Sequence, residues 1–111
     1  MRTNFNMAFD NISLVKGDTL SFNVELDGVD TLDSAYFTCK KIPTSNTNIF
    51  KKSIGDGISK IEDGLYVVTV DPADTSGVDA GMYYYDFQIG VNGDVFTIFI
   101  GMLELIQDVT N

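Results

Sequence analysis

Two acidic groups and one thiol are the side chains in this sequence whose types and spacing could do chemistry. Asp27, Asp30 and Asp33 are spaced by three across one turn-rich stretch, and Asp71, Asp74 and Asp79 form a second group. Clustered carboxylates suggest calcium, which takes about six to eight oxygens and draws them from alternate positions of a compact loop with an early glycine. Neither group has that pattern, and turn and cap chemistry accounts for both. Paired acids could also cleave a glycosidic bond, with two carboxyl groups roughly 5–9 Å apart flanking a sugar cleft. A 111-residue chain without tryptophan has little material for such a cleft. Cys39 is the single cysteine and there is no histidine, which removes Ser-His-Asp catalysis, His-ligated zinc and any intrachain disulfide. Cys39 alternates with Lys40 and reads as a small buried apolar group. Gly55-Asp56-Gly57 does not lead into a helix, so it is no phosphate cradle. The expectation is a non-enzymatic protein with no catalytic residues, no metal and no cofactor.

Charge narrows the partners. Sixteen acidic residues against 7 basic give a net charge of −9. A nucleic-acid partner is disfavoured, because binding a phosphate backbone is mostly neutralisation by Lys and Arg. Residues 1–15 mix Asn6, Asp10 and Asn11 with apolar side chains, so the uninterrupted apolar run of about 7–15 residues that a secretory signal needs is absent. The greasiest stretch, residues 95–106, is broken by Thr97, Gly101 and Glu104, well short of the roughly 20 apolar residues of a spanning helix. These features lead us to expect synthesis in a cytoplasm and no membrane insertion. Length and a 44% apolar content suit one domain with a real core.

The elements that would hold these residues are strands. Leu20, Phe22, Val24 and Leu26 alternate with polar neighbours, and Ala35, Phe37 and Cys39 alternate with Tyr36, Thr38 and Lys40. Residues 49–54 form a shorter candidate, and Lys51 and Lys52 within it suit an edge strand. Residues 65–70 have strong β propensity, and residues 11–15 form a first strand. Asp71 to Gly77 reads as one helical turn: Asp71 caps, Pro72 starts, Asp74 suits the first turn and Gly77 the exit. The expected domain spans residues 11–111, preceded by an arm or edge strand at residues 1–10 in which Phe5, Met7 and Phe9 are candidate contacts.

Asn92-Gly93 is the strongest short-range hairpin signal in the chain. Counting outward from it, Ile89 faces Phe96, Phe87 faces Ile98, Tyr85 faces Ile100 and Tyr83 faces Met102, all on a core side. The other side pairs Gly90 with Val95, Gln88 with Thr97, Asp86 with Phe99 and Tyr84 with Gly101. Tyr84, Val95, Thr97 and Phe99 therefore make a candidate interaction face. Two readings of it stand: a segment such as residues 1–9 covers it, or another subunit does. Exposed tyrosines on a small sandwich could alternatively bind carbohydrate, with Tyr36, Tyr66 and Tyr84 as candidates.

Seven or eight short strands with turn signals every 8–12 residues or so suit an all-β antiparallel sandwich. Asp79-Ala80-Gly81-Met82-Tyr83-Tyr84-Tyr85 resembles the Asp-x-Gly-x-Tyr-x-Cys segment of immunoglobulin domains. The resemblance implies that Tyr83 packs at a corner and bonds to backbone upstream. Tyr85 stands where that family has its disulfide cysteine, and the family's core tryptophan is also missing. Over residues 11–108, the order of Gly17-Asp18-Thr19-Leu20-Ser21-Phe22, Asp63-Gly64-Leu65-Tyr66-Val67-Val68, Asp71-Pro72-Ala73-Asp74-Thr75 and Gly81 to Phe87 is similar to the immunoglobulin-like N-terminal domain of bacteriophage upper baseplate proteins. That resemblance implies a virion structural or accessory protein of a baseplate, tail, neck or head, bound to other virion proteins and to copies of itself. It carries over no functional residue. The alternative is a carbohydrate-binding sandwich module.

Overall fold

In the computed structural model, residues 11–109 are described, and they form eight strands and one helical turn. The strands are β1 (Ile12–Val15), β2 (Leu20–Glu25), β3 (Ser34–Lys40), β4 (Phe50–Ile54), β5 (Gly57–Glu62), β6 (Leu65–Val70), β7 (Gly81–Val91) and β8 (Asp94–Ile106). The turn α1 (Pro72–Thr75) lies between β6 and β7. Strand order is β1-β8-β7-β3-β4-β5-β6-β2. The first five make one layer and the last three the other. The layers join where β4 and β5 share only two parallel pairs, Ser53 with Gly57 and Ile54 with Ile58. Residues 1–10, and with them Phe5, Met7 and Phe9, lie outside the described residues.

Period two sets what is buried. Ala35, Phe37 and Cys39 point inward from β3, and Tyr83, Tyr85, Phe87 and Ile89 from β7. Phe37 is completely buried and is the hub of an aromatic cluster. Its ring lies 5.2 Å from Phe22, 5.5 Å from Tyr85 and 5.8 Å from Phe50. Phe22 comes from β2, so this contact ties the two layers together. Aromatic side chains thus fill the space between the two layers, each pair adding about 0.5–1.5 kcal/mol beyond the area it buries. Burial pushes the Cys39 thiol up to about 12, which leaves it protonated and inert at neutral pH.

The Asn92-Gly93 turn has positive φ at both residues, 53° and 85°, as a two-residue hairpin of right-handed strands requires. From it, Gly90 pairs with Val95, Ile89 with Phe96 and Gln88 with Thr97, as the sequence predicts. The register then shifts between Phe87 and Gln88, and Phe87 pairs with Phe99. A β-bulge absorbs Ile98, so two consecutive residues, Ile98 and Phe99, point inward. The candidate face is corrected accordingly. Phe99 is partly buried and stacks on Phe87 at 5.2 Å with rings 12° apart. Ile100 and Met102, expected in the core, move to the outward side; Tyr85 pairs with Gly101 and Tyr83 with Leu103.

Two further expectations are revised. β4 is not an edge: it lies between β3 and β5, and Lys52 is buried. Its ammonium is neutralised from the helical turn, 2.6 Å from Asp74 Oδ2 and 3.9 Å from Asp71 Oδ2. The lysine stem runs over Gly57, where a Cβ would sit 2.6 Å from Lys52 Cδ and φ is +95°. Tyr66 is not exposed. It is 1% accessible, and its hydroxyl accepts the Leu32 N–H at 3.0 Å.

The corner is as the resemblance implies. The buried Tyr83 hydroxyl donates to the Asp79 carbonyl at 2.6 Å, and the Lys41 ammonium lies 4.6 Å from its ring centroid. Burial first, and then the Asp79 carboxylate, pushes the Tyr83 phenol up. Tyr83→Phe should lower the unfolding free energy by about 1 kcal/mol, the net value of one such hydrogen bond. An unchanged urea midpoint would show that the bond contributes nothing.

Candidate functional site

The outward side of β4, β3, β7 and β8 carries a groove of about 660 Å³. Alternation along β3 turns Tyr36, Thr38 and Lys40 outward, and along β7 it turns Tyr84, Asp86 and Gln88 outward. The bulge in β8 adds Ile100 and Met102, and β4 adds Lys51; all nine line the groove. Pro43 and Asn48, from the loop between β3 and β4, wall one side, and Asn11 stands at the entry to β1. Register sets the grid: Tyr36 beside Gln88, Thr38 beside Asp86, Lys40 beside Tyr84, and then Asp86 beside Ile100 and Tyr84 beside Met102.

Asp86 is at the centre of this grid and is half-buried. Burial pushes its carboxyl above the usual range, partly offset by the positive charges of Lys40 and Lys51. The sign follows from linkage. A carboxyl whose folded pKa is raised costs stability once ionised, above that raised pKa, and the cost disappears as pH falls below the unfolded value. The ionised form of Asp86 is therefore worse solvated in the fold than in the unfolded chain. Tyr36 and Tyr84 are each 37% exposed. The Lys51 ammonium lies 4.4 Å from the Tyr36 ring centroid, so one face of that ring already has a cation on it.

Of the four residues expected on this face, Tyr84 alone lines the groove. Val95 is 68% exposed but sits at the hairpin tip, Thr97 is half-buried, and Phe99 has turned inward. The sequence reading missed Lys40, Lys51, Asp86, Ile100 and Met102. Lys40 and Asp86 were legible, since each shares parity with a residue already assigned outward; Lys51 was read only as one of two lysines suited to an edge strand, with no side assigned. Ile100 and Met102 were not, because Phe96 to Met102 is apolar at nearly every position and carries no alternation to reveal a bulge.

The acidic residues have local duties. Asp71 and Asp74 hold Lys52; Asp74 Oδ2 also accepts the Asp71 N–H at 2.7 Å, closing the helical turn. Asp33 Oδ2 accepts from the Gly93 N–H at 3.4 Å. Asp27 and Asp30 border a shallow polar hollow with Glu25, Glu62 and Asp63, and Asp63 pairs with Lys60 at 2.7 Å. Among the described residues no three His, Cys, Asp or Glu side chains are grouped to hold a metal ion, and no helix is long and apolar enough to cross a membrane.

No protein-family profile matches the chain, and no curated protein matches its sequence. Solved structures do match. A chain of the swine CD8aa homodimer is similar with a TM-score of 0.53 and 15% identity, covering 95% of this chain and 98% of that one. The ZIG-8–RIG-5 IG1–IG1 heterodimer is similar at 0.45 and 10% identity, over 96% of this chain and 89% of that one. At 15% identity the likeness to the CD8aa chain speaks for fold alone. The fold is an all-β immunoglobulin-like sandwich.

Proposed function

We propose that this chain is a non-enzymatic binding module that contacts a protein partner through the outward face of β3, β4, β7 and β8. The observation that carries this reading is the composition of the groove. An apolar strip of Tyr84, Ile100 and Met102 runs beside a poorly solvated Asp86, with Lys40 and Lys51 nearby. A face meant only for water would keep its charges solvated and its large apolar groups scattered. The finer reading, a structural or accessory component of a bacteriophage virion, is supported by the order of strand and turn motifs in the sequence. Fold likeness adds the sandwich architecture and nothing about a partner.

A carbohydrate ligand is the second reading, favoured by two exposed tyrosines beside Gln88 and Asn48 in one groove. The Lys51 ammonium over Tyr36 weighs against it, because a sugar would have to displace that cation to stack there. The two readings separate in one experiment. A photo-crosslinking amino acid at Tyr84 should capture a virion protein, whether a further copy of this chain or a different one, in assembled particles, while the same group at Ser21, exposed on β2, should not. Tyr84→Ala and Ile100→Asp should reduce incorporation into particles and leave stability within about 0.5 kcal/mol of the parent, as surface changes do. Full incorporation of both variants would overturn the protein-binding reading. Binding on a glycan array that Tyr84→Ala abolishes would put the sugar reading in its place.

A further inference from the structure

Three outward side chains stand in one row across the face. Lys51 on β4 is in register with Thr38 on β3, and Thr38 with Asp86 on β7. Neighbouring strands lie about 4.8 Å apart, so Thr38 is midway between a lysine and an aspartate, each one strand away. We propose that the occupant of the groove is a second copy of this chain, related by a twofold axis that lies in the face and passes along β3 through Thr38. That operation sets Lys51 of each copy opposite Asp86 of the other, so the row is self-complementary under one symmetry.

The charge of the whole molecule favours this face for self-association. At −9, two copies repel over most of their surfaces. The groove is an exception: it is lined by Lys40 and Lys51 against a single acid, Asp86. Among the described residues Asp86 has no ion-pair partner within its own chain; Lys40 and Lys51 act on it only at longer range. A cation from a second copy would supply what the fold withholds, and the strip of Tyr84, Ile100 and Met102 would be covered alongside. Lys40 lies on the same strand as the axis and faces its own counterpart, so Lys40→Ala should tighten the dimer.

This inference rests on the face being the binding surface proposed above, and its test is separable from that reading. Light scattering behind size exclusion, from about 1 μM to about 1 mM, should show a concentration-dependent dimer. Asp86→Lys and Lys51→Asp should each weaken it by about tenfold or more, and the double exchange Asp86→Lys/Lys51→Asp should restore it. Thr38→Cys gives a second readout at an unchanged charge. Face-to-face sheets pack about 10 Å apart, too far for a direct disulfide, so a short bis-maleimide should join the two Thr38→Cys positions, and Thr69→Cys on the other layer should stay unlinked. Cys39 is buried and will not compete. A monomer at every concentration, a dimer indifferent to both reversals, a failed restoration or no Thr38→Cys linkage would each overturn the twofold. A monomer whose Tyr84 crosslinker still captures a different protein would overturn the self-association and leave the binding reading standing.

Discussion

Phe37→Ala should lower the unfolding free energy by about 3–5 kcal/mol, the usual loss for a phenylalanine truncated in a close-packed core. Phe37 is completely buried and touches Phe22, Phe50 and Tyr85. Three elements around it would have to shift together to close the hole, and β3 is held on both sides by β4 and β7. A domain with about 5–15 kcal/mol in total would lose a large share, and a variant at the low end would be partly unfolded at 37 °C. Urea titration measures the loss. Cys39 labelling gives an independent probe, because its neighbour-buried thiol reacts only once β3 is exposed. The control is Tyr36→Ala, one residue along on the outward side, which should cost about 1 kcal/mol or less. A loss below about 1 kcal/mol for Phe37→Ala would show that the aromatic cluster is not what joins the two layers.

Asp74→Ala should cost about 3 kcal/mol, the lower end of what breaking a buried ion pair costs. The substitution removes the carboxylate 2.6 Å from a lysine side chain that is only 7% accessible, and it also removes the acceptor for the Asp71 N–H. Asp71, at 3.9 Å and largely exposed, compensates weakly. The Asp74 side chain keeps 20% of its accessibility, and solvent screening there holds the figure to the lower end. Lys52→Met removes the ammonium while keeping the stem that runs over Gly57, so it should cost less than Asp74→Ala. The double variant should be more stable than Asp74→Ala alone, because no buried charge is then left unpaired. A double variant whose loss is the sum of the two single losses would show that the pair is not coupled.

The two variants also show where sequence reading succeeds and where it stops. Phe37 was legible as core from Ala35, Phe37 and Cys39 alternating with Tyr36, Thr38 and Lys40, and every inward residue of β3 is buried. Asp74 was legible as a first-turn residue of a capped helical turn, and it is one. Its second duty was not, because nothing local ties it to Lys52, 22 positions earlier in the chain. β5 escaped notice for a related reason: among its six residues Ile58 is the single fully buried one, so the apolar alternation that marks a strand is missing.

The interaction face divides in the same way. Tyr84 could be placed outward by counting from the Asn92-Gly93 turn, and Tyr36 from its parity on β3. Phe99 could not, because the count fails at the bulge, and one absorbed residue reverses the side of every residue beyond it. Alternation and turn chemistry act between neighbours, so the sequence by itself determined the strand-rich sandwich, the hairpin, the tyrosine corner and most of the core. Tertiary structure alone decided that Phe99 packs inward, that Lys52 is buried against Asp74, and that Lys51, Thr38 and Asp86 share a row. Each of these depends on which distant strands lie side by side, and pairing across the sheet is settled by packing the whole core at once.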